Sequence, residues 1–136
     1  MSPAHDRTKV LFVDDSWYMQ ALVRDALESL GLDLLCGDDG ACAVDMYRAE
    51  HPQLVLMDLV LPQLDGITAI SDIRAFDPDA RIVIVSGLLD EGTRLQASQL
   101  GVAGFLRKPF TPRELLATVC AHVPAASPAH ELQATP

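Results

Sequence analysis

Five short apolar runs alternate along the chain with longer segments in which apolar residues recur every three or four positions. The runs are VLFV (10–13), DLLC (33–36), LVLM (54–57), IVIV (82–85) and VAGFL (102–106). Runs of this length, rich in Val, Ile and Leu and without polar alternation, are typical of strands buried on both faces. They predict five strands.

The intervening segments predict helices. In residues 16–31 one helical face is apolar, and Gly31 ends the helix; the apolar positions are Met19, Leu22, Val23, Ala26, Leu27 and Leu30. Four further helices are predicted near residues 40–50, 65–75, 90–100 and 111–122. Strict alternation of strands and helices favours an open α/β fold, with a mostly parallel sheet and helices on both sides.

The length of 136 residues suits one domain. We place that domain at residues 9–123, after a disordered N-terminal segment (1–8) and before a flexible tail (124–136). No apolar run approaches the roughly 18 residues of a membrane span, and the first residues lack the layout of a signal peptide. No membrane insertion is expected.

Charge and cysteine content argue against some classes of protein function. Ten Lys and Arg against nineteen Asp and Glu give a net charge of −9, which argues against DNA or RNA as a partner because phosphate binding needs a basic surface. Cys36, Cys42 and Cys120 form an odd, unpatterned set that predicts reduced thiols in a cytoplasmic protein. The scattered histidines argue against a zinc site.

Polar residues follow four of the predicted strands. They are Asp14 and Asp15, Asp58, Ser86 with Gly87, and Arg107 with Lys108 and Pro109. The carboxyl ends of parallel strands share one sheet edge, where such folds bind ligands, so these side chains should converge. Two carboxylates about 4 Å apart repel by roughly 4 kcal/mol at an effective dielectric near 20. Three carboxylates with one lysine therefore favour a hard divalent cation such as Mg²⁺.

Asp58 is the best candidate nucleophile. A carboxylate is already ionised near neutral pH and needs no general base. The residues after it, LVLPQLDG, place Pro62 and Gly66 in a loop that could leave Asp58 open to solvent. Attack on phosphorus would give an aspartyl phosphate, and Lys108 and Ser86 are suitable donors to its oxygens.

The motifs VDD (13–15), MDLVLPQLDG (57–66), VSG (85–87) and KPF (108–110) occur together and in order. In them the chain resembles the receiver domain of bacterial two-component response regulators, over about residues 9–123. The single-domain chemotaxis type is the nearest likeness. The resemblance implies a flavodoxin-like, doubly wound (βα)5 fold, with a five-stranded parallel sheet in the order 2-1-3-4-5.

The resemblance also implies a role for each matching residue. Asp58 is the phosphoacceptor. Mg²⁺, for which Mn²⁺ can substitute, is bound directly by Asp15, Asp58 and the Val60 carbonyl, and by Asp14 through water. The phosphoryl group is contacted by the Ser86 hydroxyl, the Lys108 ammonium and the backbone N–H groups of Leu59 and Gly87.

Two further features of the family map onto this sequence. The Lys108–Pro109 peptide bond is expected to be cis. Phe105 is expected to be the aromatic that moves inward on activation, although a simple core position is the alternative. Trp17 and Tyr18 are expected to be core residues or partly exposed.

As a receiver, the chain would accept a phosphoryl group from a sensor histidine kinase or a phosphotransfer protein. It would catalyse only its own phosphorylation and dephosphorylation, so it would not be a turnover enzyme. The charge added would change a surface made by the fourth helix, fifth strand and fifth helix, which binds an unknown downstream protein.

Other interpretations compete with this function. One is a phosphorylation-independent interaction module on the same fold. Another is an aspartate-nucleophile phosphatase, which the adjacent aspartates disfavour because that class carries a DxD pattern. For Asp14 and Asp15 the alternative to metal binding is a purely structural role as caps of the next helix.

Overall fold

The computed structural model describes residues 7–61, 65–87 and 89–123. Five strands and five helices alternate in this part of the chain. They are β1 (Lys9–Val13), α1 (Trp17–Glu28), β2 (Asp33–Gly37), α2 (Gly40–Glu50), β3 (Leu54–Met57), α3 (Gly66–Phe76), β4 (Ile82–Ser86), α4 (Glu91–Gln99), β5 (Gly104–Arg107) and α5 (Pro112–His122). The strands form one sheet in the order β2-β1-β3-β4-β5, and every neighbouring pair is parallel. The predicted fold and strand order are confirmed.

The predicted boundaries of the helices and strands hold to within two residues, except that α1 ends at Glu28 rather than at Gly31. Among the strands, the largest difference is in β5. Strand β5 begins at Gly104 rather than at residue 102. Gly101 has a positive φ of 75°, and the N–H of Val102 still donates to Ala97 at the end of α4, at 3.4 Å. Pairing with β4 starts only at Ala103, whose N–H donates to Ile82.

The apolar runs are buried on both faces of the sheet, as their composition predicted. Alternate strand residues belong to two core clusters because side chains along a strand point to opposite faces. The first includes Leu11, Val13, Val55, Met57, Ile82 and Ile84, and packs against α2 and α3. The second includes Val10, Phe12, Leu54, Leu56, Val83 and Val85, and packs against α1 and α5. The central strands are therefore fixed by packing from both sides.

Each helix begins with a capping side chain that accepts a backbone N–H three residues on. The caps are Ser16, Asp39, Asp65, Asp90 and Thr111. Since Ser16 caps α1, neither Asp14 nor Asp15 is used for capping. Their carboxylates are thereby left for another role.

Most of the two predicted terminal segments lies outside the described residues, as does Pro62. Arg7 and Thr8 are described. The Arg7 guanidinium donates to the Gly31 carbonyl at 3.0 Å and pairs with Asp33 at 3.1 Å, while the Thr8 carbonyl accepts from the N–H of Asp33. Within the described residues, no helix combines the length and the apolar composition that crossing a bilayer requires.

His122 gives the fold a pH dependence at the end of α5. Its imidazole packs so closely on β5 that a Cβ at Gly104 would lie 3.4 Å from its Nε2. Its Nδ1 is buried without a hydrogen-bond partner among the described residues. Burial, together with the charge of Arg81, lowers the pKa of His122 below its ordinary value of 6.5.

We therefore expect the free energy of unfolding to fall as the pH drops below 6.5, because the unfolded chain then binds a proton at His122 that the folded chain does not. Urea unfolding between about pH 5 and pH 8 measures this. His122→Gln should flatten the dependence. Identical pH profiles for the two proteins would contradict the expectation.

Candidate functional site

Two buried carboxylates lie where β1 and β3 end at the centre of the sheet. Asp14 is 1% exposed and Asp58 is 7% exposed. Strand-like pairing continues through both residues, since the N–H of Asp14 donates to Gly37 and that of Asp58 to Val13, each at 3.0 Å. The sheet itself therefore fixes the positions of these carboxylates.

Lys108 bridges the two carboxylates from the end of β5. Its Nζ lies 2.5 Å from Oδ2 of Asp14 and 2.9 Å from Oδ2 of Asp58. Its backbone N–H donates to the carbonyl of Ser86 at 3.0 Å, and the peptide bond to Pro109 is cis, as predicted. Burial alone would lower the pKa of Lys108, but hydrogen bonds and charges from Asp14 and Asp58 outweigh it and raise the pKa above its ordinary value. The lysine is therefore firmly charged.

The backbone and side chain of Asp14 have further partners in α1. Its Oδ1 accepts the N–H of Ser16 at 2.9 Å. The Gln20 side-chain amide donates to the Asp14 carbonyl at 2.8 Å and to Asp38 Oδ1 at 2.7 Å. In the sequence, Gln20 is one of the polar residues between the apolar positions of the first predicted helix. Its hydrogen bond to the end of β1 could not be predicted from the spacing of residues along the chain.

Asp15 completes a cluster of three carboxylates. Asp14, Asp15 and Asp58 each offer an oxygen, and these oxygens lie within 4.8 Å of one another. Asp15 is exposed, whereas the other two are buried. Oxygen-only donors, held close together and only partly neutralised by Lys108, fit a hard cation of the Mg²⁺ type.

The other residues predicted to contact the metal ion or the phosphoryl group follow β3 or end β4. Ser86 is the last residue of β4 and is 1% exposed, and Gly87 follows it. Leu59 is buried, whereas Val60 is 61% exposed. The N–H of Val60 donates to Oδ1 of Asp58 at 3.3 Å.

Phe105 has no hydrogen bond or ion pair to this cluster. It lies on β5, half-buried against the core cluster that packs on α2 and α3. The guanidinium of Arg94 in α4 covers its ring, with the Arg94 carbon 4.9 Å from the ring centroid. The position suits a core aromatic as well as a moving one.

Gly66 has a steric role that the sequence did not reveal. A Cβ at this position would lie 2.2 Å from the Asp58 carbonyl oxygen and 2.7 Å from the Cα of Leu59, both far inside van der Waals contact. The N–H of Gly66 donates to the Leu59 carbonyl at 3.0 Å. The start of α3 therefore rests directly on the backbone that carries Asp58.

The expectation that Trp17 and Tyr18 are core or partly exposed residues is wrong. Their exposed fractions are 78% and 62%, and their rings pack edge to face at 6.4 Å. The face of α1 that meets the sheet carries Val23 and Leu27, and the side chains of Trp17 and Tyr18 at its start are left in solvent. Trp17 is nevertheless three residues from Asp14 and can report on the site by fluorescence.

The chain is similar in sequence to a known protein family and to individual proteins of known function. The family model described as response regulator receiver domain matches residues 10–120. The chemotaxis protein CheY of Bacillus subtilis is 34% identical over 112 residues, which are 82% of this chain and 93% of that protein.

Two solved structures are also similar. A CheX–CheY complex of Borrelia burgdorferi with BeF3 and magnesium is 28% identical, with a TM-score of 0.81, over 89% of this chain and 93% of that one. The receiver domain of a sensor histidine kinase of Pseudomonas aeruginosa, with magnesium coordinated in its active-site cleft, is 29% identical, with a TM-score of 0.79, over 87% and 98%.

Proposed function

Because the chain belongs to the response regulator receiver domain family, we propose that Asp58 accepts a phosphoryl group from a partner protein and thereby switches a protein-binding surface. The observation that carries this proposal is the contact of Lys108 with both Asp14 and Asp58 at the sheet edge. That contact puts a positive charge beside a carboxylate that the sheet holds in place.

The proposed donor is a phosphohistidine of a sensor kinase or a phosphotransfer protein. An oxygen of Asp58 forms a bond to phosphorus while the bond from phosphorus to the histidine nitrogen breaks. The electron pair of that bond stays on the nitrogen, the imidazole takes up a proton from solvent, and the products are an aspartyl phosphate and a neutral histidine. The chain catalyses only this transfer and the later hydrolysis of its own acyl phosphate, so we do not class it as a turnover enzyme.

Lys108 has the central electrostatic role in this proposal. Its ammonium donates three hydrogen bonds, and two of them are used by Asp14 and Asp58. When the phosphoryl group arrives, the ammonium can turn from a carboxylate oxygen to a phosphoryl oxygen without a large movement. The Ser86 hydroxyl and the N–H groups of Leu59 and Gly87 are proposed as the other donors.

The cofactor proposed is Mg²⁺, with Mn²⁺ as a substitute. Asp14, Asp15, Asp58 and the Val60 carbonyl would hold it. When bound, the ion neutralises charge shared by the carboxylates and the incoming phosphoryl oxygens. The magnesium in the two solved relatives supports this assignment.

The output surface is proposed to be formed by α4, β5 and α5. The added charge would draw Ser86 towards the phosphoryl group, and Phe105 would follow into the space vacated. A cytoplasmic location is part of the proposal; it is supported by the finding that Cys36, Cys42 and Cys120 form no disulfide with one another.

The test is incubation with Mg²⁺ and acetyl phosphate, followed by intact-mass measurement. We expect one added phosphoryl group, absent from Asp58→Asn and from a sample with chelated metal. Trp17 fluorescence, followed in parallel with beryllofluoride, reports on occupation of the site without chemistry. Absence of both the adduct and the fluorescence change would contradict the proposal and favour the phosphorylation-independent interaction module.

A further inference from the structure

The side chain of Gln20, in the first turn of α1, joins the ends of two strands. Its Nε2 donates to the Asp14 carbonyl at 2.8 Å and to Oδ1 of Asp38 at 2.7 Å. Strands β1 and β2 pair as far as Val13 and Gly37. Asp14 and Asp38 each follow one of these residues, so the Gln20 amide connects the two chains directly beyond the last pair.

The Asp14 carbonyl lies where the pairing of β1 with β2 stops. The N–H and C=O of one strand residue point to the same side, and the N–H of Asp14 points towards β2, since it donates to Gly37 at 3.0 Å. Strand β2 ends at Gly37. Because Asp14 is buried, a carbonyl without a donor here would cost free energy. The Gln20 amide supplies the donor that a longer β2 would supply.

This hydrogen bond also fixes the backbone of Asp15. The C=O of Asp14 and the N–H of Asp15 belong to one planar peptide group, so holding the carbonyl sets the direction of the chain after Asp14. Within the described part of the chain, the exposed Asp15 carboxylate has no hydrogen bond or ion pair, whereas Lys108 contacts both Asp14 and Asp58. The place of the Asp15 carboxylate in the cluster therefore depends on its backbone.

We propose that Gln20 is a positioning residue for the divalent-cation site and that Asp38 holds Gln20 in place. The inference rests on the proposed function, since it concerns the Mg²⁺ that Asp14, Asp15 and Asp58 would bind. Groups that orient a metal ligand contribute to the affinity without touching the ion. A glutamine suits this role because its amide is neutral. A lysine or arginine could donate to the same carbonyl, but its charge would oppose occupation of the site by a cation.

The alternative is a purely structural connection between α1 and the sheet, and the opposite end of β1 offers a matched control. There the Gln53 side chain accepts the N–H of Lys9 at 2.8 Å. Each glutamine thus hydrogen-bonds the backbone at one end of the same strand, but Gln53 lies at the end away from the acidic cluster. Replacing either one removes a hydrogen bond, whereas replacing Gln20 should also change the affinity for the cation.

The first measurement is titration of Gln20→Met with Mg²⁺, followed by Trp17 fluorescence. Methionine has a similar length and helix propensity but cannot donate a hydrogen bond. We expect the Kd for Mg²⁺ to rise about tenfold, while Gln53→Met binds Mg²⁺ as wild type does. The carbonyl ¹³C NMR signal of Asp14 should move upfield in Gln20→Met, because that carbonyl loses its hydrogen bond.

Asp38→Ala tests the second contact of the amide. Removing this charge can weaken Mg²⁺ binding at a distance, so the substitution is made both in wild type and in Gln20→Met, as a double-mutant cycle. We expect a larger loss of affinity in wild type, because the part of the effect that acts through the amide is already absent from Gln20→Met. Equal losses in the two backgrounds would overturn the part assigned to Asp38.

Phosphorylation by acetyl phosphate separates this inference from the proposed function. In Gln20→Met the half-maximal rate should need about tenfold more Mg²⁺, while the rate at saturating Mg²⁺ stays near that of wild type. An Mg²⁺ affinity that depends on Gln20 supports the positioning role even where no adduct forms. Equal affinities of Gln20→Met and wild type, or equal weakening by Gln53→Met, overturn it while adduct formation still supports the phosphoacceptor. Absence of Mg²⁺ binding by wild type overturns both.

Discussion

Gly66→Ala is expected to lower the free energy of unfolding by about 2–3 kcal/mol, as overpacking against a rigid backbone does. The new Cβ would lie 2.2 Å from the Asp58 carbonyl oxygen, and neither the strand end nor the first turn of α3 can move freely. Alanine's better helix propensity, worth at most about 1 kcal/mol, offsets only part of this. Because Asp58 must shift with its backbone, we also expect phosphorylation by acetyl phosphate to slow about tenfold or more.

Urea unfolding and the time course of adduct formation measure the two effects. Gly92→Ala is the matched control, since a Cβ there would meet nothing closer than the Asp90 carboxylate at 3.6 Å. It should be neutral or stabilising, because Gly92 lies in the helix α4. Equal stability of the two variants would show that the contact between α3 and Asp58 relaxes without cost.

Lys108→Met is expected to cost about 2 kcal/mol of unfolding free energy, because it leaves buried carboxylates without their counter-charge. We expect a smaller loss of unfolding free energy than for a fully buried ion pair, because the lysine side chain is 24% exposed and solvent screens its charge. Asp14 and Asp58 would then repel each other across the site. Phosphorylation should also be strongly reduced, because the donor for the phosphoryl oxygens is lost.

Thermal unfolding with and without Mg²⁺ tests the electrostatic cause. Mg²⁺ should stabilise Lys108→Met more than wild type, because the ion then supplies the missing positive charge. Lys9→Met is the control; Lys9 pairs with Glu50 at 2.8 Å, and both side chains are more than a third exposed, so removing it should cost less than about 1 kcal/mol.

The pH dependence provides an independent check. The raised pKa of Lys108 means that its stabilisation is complete below its ordinary value of 10.5 and is lost as the pH rises through the folded value. Lys108→Met should lack that loss. Matching stability losses for Lys108→Met and Lys9→Met would contradict the bridging role.

The fold could be predicted because its signal is local and repeated. Unbroken apolar runs such as 54–57 and 82–85 are required wherever a strand is covered on both faces, and both runs are fully buried. The convergence of Asp14, Asp58 and Lys108 followed from one further rule, that parallel strands end at the same edge. The start of β5 differs from the prediction because Val102 has an apolar, β-branched side chain, yet its N–H still donates to the Ala97 carbonyl in α4.

Some contacts at the site could not be predicted, because they depend on how helices pack on the sheet and not on the spacing of residues along the chain. Gly66 reads as a helix start, and its closeness to Asp58 depends on where α3 meets the sheet. Gln20 and Arg94 lie on polar helix faces and could have pointed to solvent. The exposure of Trp17 could not be predicted either, because an aromatic residue at the start of a helix can face the core or the solvent.

The strand order leaves β2 and β5 as the two edges of the sheet, where unpaired backbone groups invite strands from other molecules. Charged residues stand on both edges: Asp33 begins β2, beside Arg7, and Arg107 ends β5. Charge of this kind discourages edge-to-edge aggregation. Arg107 on β5 and the Arg7–Asp33 pair on β2 would thus keep copies of this chain from joining edge to edge into a longer sheet.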